Sequence, residues 1–467
     1  MSESAFESAK AKLLTDGAGD AAVESFTRFH RQLAEGELGV LAESAIEPIE
    51  SLPDADDLPV VDATEALKKT VVIKLNGGLG TGMGMTKAKS LIEAKDGLSF
   101  LDIIAKQVIG LRARTGAPLP LVLMNSFATR DDTLQALSAH QGLGTEGIEL
   151  DFLQNRVPKL RADDLHPVEW AADPELEWAP PGHGDLYTAL VTSGMLDALR
   201  SQGFRWAFVS NADNLGAVLD ERILEWFASQ QIPFLMEVAD RTPADRKGGH
   251  LARSLEGGLL LREVAQTDES DLDAFQDITK HRYFNTNTLW IDLDALADAL
   301  EAGGGVLDLP MIVNRKTVDP SDSGSTEVIQ LESAMGAAIS LFDGAQAIRV
   351  PRSRFAPVKA TSDLLGVRSD AYVLTPDSHV VLAPERNGVP PVIALDPDHY
   401  KLLGQFEDHF PGGAPSLIDC DSLTVKGDVL FGSDIKVIGD MTVDSGGPGK
   451  AAVSDGTTLR AAQPEED

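Results

Sequence analysis

The segment Val71–Ser90, VVIKLNGGLGTGMGMTKAKS, constrains this chain more than any other part of it. It begins with the apolar run of a buried strand and continues into a loop that holds five glycines. It closes with Lys87, Lys89 and Ser90. Glycines at the carboxyl end of a parallel strand let backbone N–H groups face a ligand, and lysines add mobile positive charge. The segment therefore predicts a polyphosphate site.

Two well-known phosphate fingerprints do not fit this loop. A P-loop has glycine directly before the lysine of its Lys-Ser pair, whereas Ala88 precedes Lys89 here. The dinucleotide pattern G-x-G-x-x-G occurs in no register of these glycines. A glycine loop without a ligand stays open as the alternative at this point.

Composition narrows the class of protein and its partners. The 467 residues are enough for two or three domains, and the net charge of −33 makes nucleic acid and anionic membrane surfaces poor partners. The sequence contains no run of about 18 apolar residues, so no membrane span is predicted. Its polar, acidic start lacks the apolar core of a signal peptide. Cys420 is the single cysteine, which excludes an intrachain disulfide. These features predict a cytoplasmic protein.

Hydrophobic periodicity predicts an α/β fold with a mixed, mostly parallel sheet that has helices on both faces. Residues 1–60 are predicted to form an N-terminal helical region, which carries an apolar stripe from Val23 to Leu33. Ser99 and Asp102 predict a capping box for a helix that ends at Gly116. Buried strands are predicted at 71–75, 120–124, 205–210, 233–238 and 288–291. Ligands of such sheets bind at the carboxyl ends of the strands.

The region after residue 370 has a different rhythm. Within this region, every second residue of one segment follows a repeating order of two large apolar residues and one small residue, so that each large position recurs every six residues. This pattern favours a β-helix coil of little more than one turn, with a hairpin or meander as the alternative. The predicted units are therefore a helical region at 1–60, a nucleotide-binding domain at 61–370, a C-terminal domain at 371–445 and a disordered tail at 446–467.

Two further motifs contain candidate functional residues near strand ends. The segment Pro180–Asp185, PPGHGD, predicts a fixed bend with N–H groups beside an imidazole, or simply a tight turn. The segment Val209–Gly216, VSNADNLG, follows a buried strand, so Asp213 is placed to bind Mg²⁺. The alternative for the second motif is an Asx turn that starts a helix at Asn214.

Two more segments allow both a binding and a structural interpretation. The run Arg349–Lys359, RVPRSRFAPVK, is strongly basic for so acidic a chain, and it is either a solvated patch or a source of charge for the phosphate cleft. The asparagines of Phe284–Trp290, FNTNTLW, can bind sugar hydroxyls or satisfy loop backbone. Zinc hydrolase and serine esterase motifs are absent from the sequence.

Together these segments resemble the eukaryotic-type UTP–glucose-1-phosphate uridylyltransferase (UDP-glucose pyrophosphorylase) family. The resemblance covers roughly residues 60–445 and depends on motifs that occur in the family's order: LNGGLGTGMG with Lys89-Ser90, VLMNSF, PPGHGD, SNADNLGA, FNTNTLW and VPRSRFAPVKATSDLL. The family usually has proline before the loop lysine, where this chain has Ala88. This departure loosens the backbone at Lys89 but leaves its ammonium available, so we expect it to affect the rate more than the reaction.

The resemblance implies a Rossmann-like nucleotidyltransferase domain, a small N-terminal region and a C-terminal left-handed β-helix. It also implies a role for individual residues. The backbone of Leu75, Asn76, Gly77 and Gly78 wraps the nucleotide, Lys89 and Lys359 bind phosphates and are catalytic, Gln154 and the Gly182 amide read uracil, His183 contacts the sugar phosphate, Asn211 holds a sugar hydroxyl, and Asp213 binds Mg²⁺.

The implied reaction converts UTP and glucose 1-phosphate into UDP-glucose and pyrophosphate. Another sugar 1-phosphate, such as that of galactose or N-acetylglucosamine, is the nearest alternative substrate. A protein that senses nucleotide without catalysis is a second alternative, supported by Ala88 alone. A P-loop kinase, the third, requires glycine at position 88. Self-association through the open ends of the C-terminal domain is a further expectation.

Overall fold

The structure is a computed structural model that describes residues 3–37, 39–447 and 449–460. Within these ranges the helices lie between the strands for most of the chain. They are α1 Glu3–Thr15, α2 Asp20–Glu35, α3 Thr64–Leu67, α4 Phe100–Thr115, α5 Arg130–Leu137, α6 Leu186–Thr192, α7 Met195–Ser201, α8 Glu221–Ser229, α9 Leu272–Phe275, α10 Leu293–Ala302, α11 Thr361–Arg368, α12 Pro397–Tyr400 and α13 Leu403–His409. No helix in the described ranges is both long and apolar enough to cross a membrane.

The strands of the first 350 residues build the main sheet and its small companions. They are β1 Ile46–Pro48, β2 Thr70–Asn76, β3 Glu93–Lys95, β4 Leu98–Ser99, β5 Leu121–Asn125, β6 Asp151–Leu153, β7 Val157–Pro158, β8 Leu160–Arg161, β9 Trp178–Ala179, β10 Trp206–Asn211, β11 Phe234–Asp240, β12 His250–Ser254, β13 Leu259–Arg262, β14 Tyr283–Asp292, β15 Ile312–Thr317, β16 Glu327–Glu332 and β17 Gln346–Arg349.

The remaining strands lie in the C-terminal region. They are β18 Tyr372–Leu374, β19 Val380–Leu382, β20 Val392–Leu395, β21 Cys420–Lys426, β22 Val429–Phe431, β23 Lys436–Asp444, β24 Ala451–Val453 and β25 Thr458–Arg460.

The central sheet is mixed, with four consecutive parallel strands in the order β10-β2-β5-β6. The long strand β14 pairs antiparallel with β10, β11 and β12, and β17 pairs parallel with β11, so this half of the sheet is mixed and contains the antiparallel pairs. The predicted mixed α/β sheet is confirmed, and each predicted buried strand coincides with one of its strands. The parallel half brings the carboxyl ends of β2, β5, β6 and β10 to one edge.

Both faces of this sheet are covered by apolar layers, which explains why its strands are apolar without alternation. Val71 and Ile73 belong to the core that includes α6, α7 and α10, whereas Val72 faces the core with α4 and α8. The capping box of α4 is confirmed, since Ser99 Oγ accepts the Asp102 N–H and Asp102 accepts the Ser99 N–H. Gly116, at φ 69°, ends the same helix as predicted.

Strands β18 and β19 form an antiparallel pair, whereas β20–β25 stack in parallel, in the order β20-β21-β23-β25 and, separately, β22-β24. In the six-residue repeat, Met441 and Val443 are half-buried, and the other large members are buried: Leu423, Val425, Val429, Phe431, Ile435 and Val437. A meander would pair its strands antiparallel, so the parallel pairing excludes that alternative for 420–460. The core of this region is continuous with the α4 face of the central sheet.

Two predictions at the ends of the chain are wrong in part. The N-terminal region is α-helical only to Glu35, and Ile46–Pro48 joins the main sheet, because the apolar stripe of α2 ends at Leu33. The predicted disordered tail contains β24 and β25, which pair with β22 and β23. The glycines of this segment interrupt its apolar pattern, so the pattern did not predict strands at Val453 and Leu459, which pack on the C-terminal core. Residues 461–467 of that tail lie outside the described residues.

Candidate active site

The glycine-rich loop starts where β2 ends and closes on itself. The Asn76 side chain is buried and donates to Asn125 Oδ1 at 2.8 Å and to Thr133 Oγ1 at 2.9 Å, which fixes the end of the strand. The Lys89 N–H donates back to the Gly78 carbonyl at 3.1 Å. Within the described residues, the N–H groups of Gly77 and Gly78 have no hydrogen-bond partner. The loop therefore presents free N–H donors at the carboxyl edge of the sheet, as a phosphate site requires.

Gly77 lies close to the side chain of a second predicted site residue. A Cβ on Gly77 would lie 2.7 Å from Gln154 Oε1. Gln154 Nε2 in turn donates to the Gly182 carbonyl at 2.9 Å, and Gly182 adopts φ 78°, which favours glycine. The structure thus brings Gly77, Gln154 and Gly182 together, although they come from three separate parts of the sequence.

Lys89 and Asp213 form the central contact of the site. Lys89 Nζ lies 2.8 Å from Asp213 Oδ2, and the two side chains are only 16% and 23% exposed. Asp213 Oδ1 is buried and has no hydrogen-bond partner among the described residues. A buried carboxylate oxygen without a partner is costly unless a ligand satisfies it, so this oxygen is available for a cation.

The basic run packs directly against the loop that carries Asp213. The Val358 N–H donates to the Asp213 carbonyl at 3.1 Å, and Asn214 forms a β-bridge with Pro357. Asn214 Oδ1 accepts the Gly216 N–H, as in an Asx turn, but the next helix begins only at Glu221. The alternative interpretation is thus correct for the Asx turn and wrong for a helix that starts at Asn214, because Asn214 joins two loops.

The four basic residues of the run Arg349–Lys359 differ in whether they form ion pairs. Arg349 pairs with Asp54 and Asp240, Arg352 pairs with Asp245, and Arg354 pairs with Glu237, so three of its four cations are neutralised. Lys359 is exposed and makes no ion pair in the part of the chain that the structure describes. Its Nζ lies 5.7 Å from the ring centre of Phe355. Lys359 is thus the member of the run whose charge is free for a ligand.

His183 is held as a neutral imidazole with a defined tautomer. Its Nδ1 accepts the Met335 N–H at 3.0 Å, which leaves the proton on Nε2. Burial lowers the pKa of His183 to about 4. The adjacent backbone is fixed as well, since the Gly184 N–H donates to the Ser333 carbonyl at 2.8 Å. At neutral pH, His183 therefore offers an uncharged N–H donor.

The asparagines that were predicted to bind sugar differ in their positions and contacts. Asn211 ends β10 beside Leu75 of β2, at the edge where the glycine loop begins, and its side chain is half-buried. Asn285 and Asn287 hydrogen-bond to each other, with the Asn287 N–H donating to Asn285 Oδ1 at 2.9 Å. These contacts favour the structural interpretation, in which the two asparagines satisfy backbone groups. They stabilise an irregularity of β14 at which Asn287 has φ 56°.

Sequence reasoning missed several buried polar residues behind the site. Lys74 donates to Ser210 Oγ at 2.7 Å and to the Ala217 carbonyl at 2.8 Å, and burial lowers its pKa to about 7. Glu237 is completely buried and pairs with Arg354. Lys74 belongs to an apolar strand run, and its charge within that run was the only available signal. Glu237 has no local signal, because its partner lies 117 positions away.

A glycine loop at the carboxyl edge of a parallel sheet, with a lysine and a carboxylate facing each other there, defines a nucleotidyltransferase of the α/β class. The family model described as UTP–glucose-1-phosphate uridylyltransferase matches residues 23–437. The chain belongs to this family.

Similar proteins cover nearly the whole chain. The UTP–glucose-1-phosphate uridylyltransferase of Solanum tuberosum is 42% identical over 423 residues, which are 89% of this chain and 85% of that protein. A mutant of the Leishmania major UDP-glucose pyrophosphorylase, solved in complex with UDP-glucose, has a TM-score of 0.93 and 45% identity, with 99% of each chain covered. The Trypanosoma brucei UDP-glucose phosphorylase has a TM-score of 0.91 and 46% identity, with 98% of each chain covered.

Proposed function

We propose that this chain transfers UMP from UTP to glucose 1-phosphate and releases UDP-glucose and pyrophosphate. The observation that carries this proposal is the convergence at Asp213. Lys89 contacts its carboxylate, and the segment that ends in Lys359 bonds to its carbonyl. Free N–H groups of the glycine loop lie at the same sheet edge. Two separate cationic segments and a carboxylate therefore meet where a triphosphate would bind.

The chemistry requires charge stabilisation more than proton transfer. An oxygen of the sugar phosphate attacks the α-phosphorus of UTP in line, the bond to the bridging oxygen breaks, and pyrophosphate leaves with that electron pair. The attacking phosphate is already an anion at neutral pH, since its second pKa is about 6. Lys89 and Lys359 would offset the repulsion between the two anions and the charge that develops on pyrophosphate.

Recognition of the nucleotide is assigned to the backbone of Leu75, Asn76, Gly77 and Gly78 and to Gln154. With Gln154 Nε2 donating to the Gly182 carbonyl, Oε1 is oriented to accept the N–H of a uracil edge. The Gly182 N–H would donate to a uracil carbonyl. A cytosine presents an acceptor in place of that N–H, so this arrangement favours UTP over CTP.

The sugar phosphate is assigned to His183 and Asn211. The Nε2–H of neutral His183 would donate to a phosphate oxygen, since Nδ1 is occupied by the Met335 N–H. The side chain of Asn211, at the end of β10, would hold a sugar hydroxyl through its amide donor or its carbonyl acceptor.

The residues present fit Mg²⁺ as the cofactor. Asp213 Oδ1 is the buried oxygen without a partner, and no group of three or more His, Cys, Asp or Glu residues suited to a metal occurs in the described ranges. Mg²⁺ commonly takes one or two carboxylates and fills its shell with phosphate oxygens and water, so a single aspartate is sufficient. When bound, the ion supplies positive charge to the phosphate oxygens.

Turnover with a panel of substrates tests this function. The purified chain is mixed with UTP, MgCl₂ and the 1-phosphate of glucose, galactose or N-acetylglucosamine, and the UDP-sugar and pyrophosphate are quantified. Fast UDP-glucose formation supports the proposal, and preference for another sugar assigns a different uridylyltransferase. Absence of pyrophosphate with all three sugars would leave the non-catalytic nucleotide sensor.

Three further features stay predictions. The parallel stacking of β20–β25 supports a left-handed β-helix, with handedness as the part to be measured. Self-association through the C-terminal region is proposed because β20 and β25 are the ends of their stack. Cytoplasmic localisation is the third prediction.

A further inference from the structure

Asn214 joins the Asp213 loop to the Lys359 segment through both ends of its amide. Its Oδ1 accepts the Ala356 N–H at 3.0 Å and the Gly216 N–H at 3.2 Å. Its Nδ2 donates to the Arg354 carbonyl at 3.2 Å, and the residue is 3% exposed. A buried amide that hydrogen-bonds to both loops through its oxygen and its nitrogen allows few alternative arrangements of those loops.

A buried ion pair between Arg354 and Glu237 stabilises the segment that Asn214 contacts. Arg354 donates through Nε and one terminal nitrogen to Glu237 at 2.7 and 2.6 Å, and the two side chains are 8% and 1% exposed. That terminal nitrogen also donates to the Val218 carbonyl at 2.9 Å. The Trp290 Nε1–H donates to Glu237 at 2.9 Å. Arg354 therefore ties the end of the Asp213 loop to strand β11.

The backbones of the two loops are too close for larger residues. A Cβ on Gly216 would lie 2.5 Å from the Ser353 carbonyl oxygen. Lys359 itself is fixed on both sides of its peptide. The Val358 N–H donates to the Asp213 carbonyl, and the N–H groups of Lys359 and Ala360 both donate to Asp363 Oδ2 at 2.8 Å. Only the side chain of Lys359 is left free to move.

We propose that Asn214 is a positioning residue for the reaction. It holds the Lys359 segment against Asp213, and the Arg354–Glu237 pair stabilises this arrangement. Asn214 acts through the position of the Lys359 ammonium and need not touch substrate. The inference rests on the proposed function, because it assigns Lys359 to the phosphates. Misplacement of a catalytic group by about 1 Å can cost a hundredfold in rate, so a contact of this kind can have a large effect without a new charge.

A double-mutant cycle tests this role. Asn214→Ala alone is expected to lower kcat by about 10- to 100-fold. In a Lys359→Ala background the same substitution is expected to change kcat by less than about twofold, because the ammonium that Asn214 positions is already gone. Losses that multiply in the double variant would overturn the proposal, as would an Asn214→Ala variant with normal kcat.

Two further variants separate positioning from a general loss of stability. Arg354→Lys keeps the charge but cannot make the paired contact with Glu237, and it is expected to show the same dependence on Lys359. Gln266→Ala removes a buried amide that accepts the Glu263 N–H at 2.9 Å in another part of the chain, and it is expected to lower stability with kcat retained. If Asn214→Ala does not fold, Arg354→Lys decides the question.

The same experiment separates this inference from the function. A wild-type chain that makes no UDP-glucose disproves the proposed function, whereas an active wild type with multiplying losses disproves only the positioning role. A Lys359→Ala variant with normal kcat would overturn the positioning role as well, because Asn214 would then position a group without effect on the rate.

Discussion

Lys89 Nζ and Asp213 Oδ2 lie 2.8 Å apart across the carboxyl edge of the sheet, although 124 positions separate them in the sequence. The pair satisfies one oxygen of the carboxylate and leaves the other buried without a partner among the described residues. The ammonium group thus contacts the carboxylate whose other oxygen is assigned to a cation. Binding of a metal–nucleotide complex would let Lys89 exchange the carboxylate for a phosphate.

Removing that lysine should therefore have opposite effects on metal binding and turnover. Lys89→Met is expected to lower kcat by about a hundredfold or more, and to tighten binding of Mn²⁺, a paramagnetic substitute for Mg²⁺, to the nucleotide-free chain. Mn²⁺ binding is measured by electron paramagnetic resonance. Lys87→Met changes an exposed lysine of the same loop and serves as the control. Unchanged Mn²⁺ affinity in Lys89→Met would contradict this exchange.

Lys359 is expected to matter for rate far more than for folding. Its side chain is exposed and makes no ion pair in the described part of the chain, so Lys359→Ala should leave the free energy of unfolding within about 0.5 kcal/mol of wild type. Loss of one preorganised cation should lower kcat by about a hundredfold. Steady-state kinetics and urea unfolding measure the two effects. Lys426→Ala, an exposed lysine on β21, is the control, and a near-normal kcat for Lys359→Ala would remove Lys359 from the mechanism.

Ala88 has the backbone geometry of a proline. Its φ is −55° and ψ is 130°, and its N–H has no partner among the described residues. Ala88→Pro should therefore retain activity and raise the free energy of unfolding by about 0.4–1 kcal/mol, through a smaller entropy of the unfolded chain.

The matched control for this substitution is Ala360→Pro. Ala360 has φ −137° and its N–H donates to Asp363, so proline there should destabilise the chain. Urea unfolding compares the two variants. A destabilised Ala88→Pro would show that the space around the buried Ala88 side chain, and not its backbone, decides the outcome.

His183 should make the stability depend on pH. Burial lowers its pKa from 6.5 to about 4, so between these pH values the unfolded chain binds a proton that the folded chain does not. The contribution of His183 to the free energy of unfolding is thus fully present above pH 6.5 and is lost as the pH falls toward 4. His183→Gln should show a shallower loss over this range. Parallel profiles for wild type and variant would mean that His183 does not titrate as assigned.

The last two strands should stabilise the C-terminal region. Removal of residues 449–467 deletes β24 and β25, which place Val453 and Leu459 on the core beside Val429, Phe431 and Val437. We expect the free energy of unfolding to fall by about 3 kcal/mol, since burying one such side chain is worth about 1.5–3 kcal/mol. Urea unfolding followed by circular dichroism measures this. Removal of 461–467 alone is the control, and equal stabilities for the two truncated chains would contradict the prediction.

The sequence by itself determined the elements that depend on local pattern. The glycine loop after β2, the capping box at Ser99 and the six-residue repeat are encoded within short windows, because turn geometry, capping and burial repeat at fixed spacings. The predicted set of site residues also came from motifs, through the resemblance to a family. Local pattern failed where glycines interrupted it, as in the segment that forms β24 and β25.

Only the tertiary structure decided how those motifs act together. Which cation of the basic run is free depended on Asp54, Asp240, Asp245 and Glu237, which lie elsewhere in the sequence. The use of Asn214 as a link between loops, and the tautomer of His183, likewise depend on backbone groups more than 100 positions away. Hydrogen bonds and ion pairs require distances near 3 Å, and only the folding of the sheet brings such distant groups within that range.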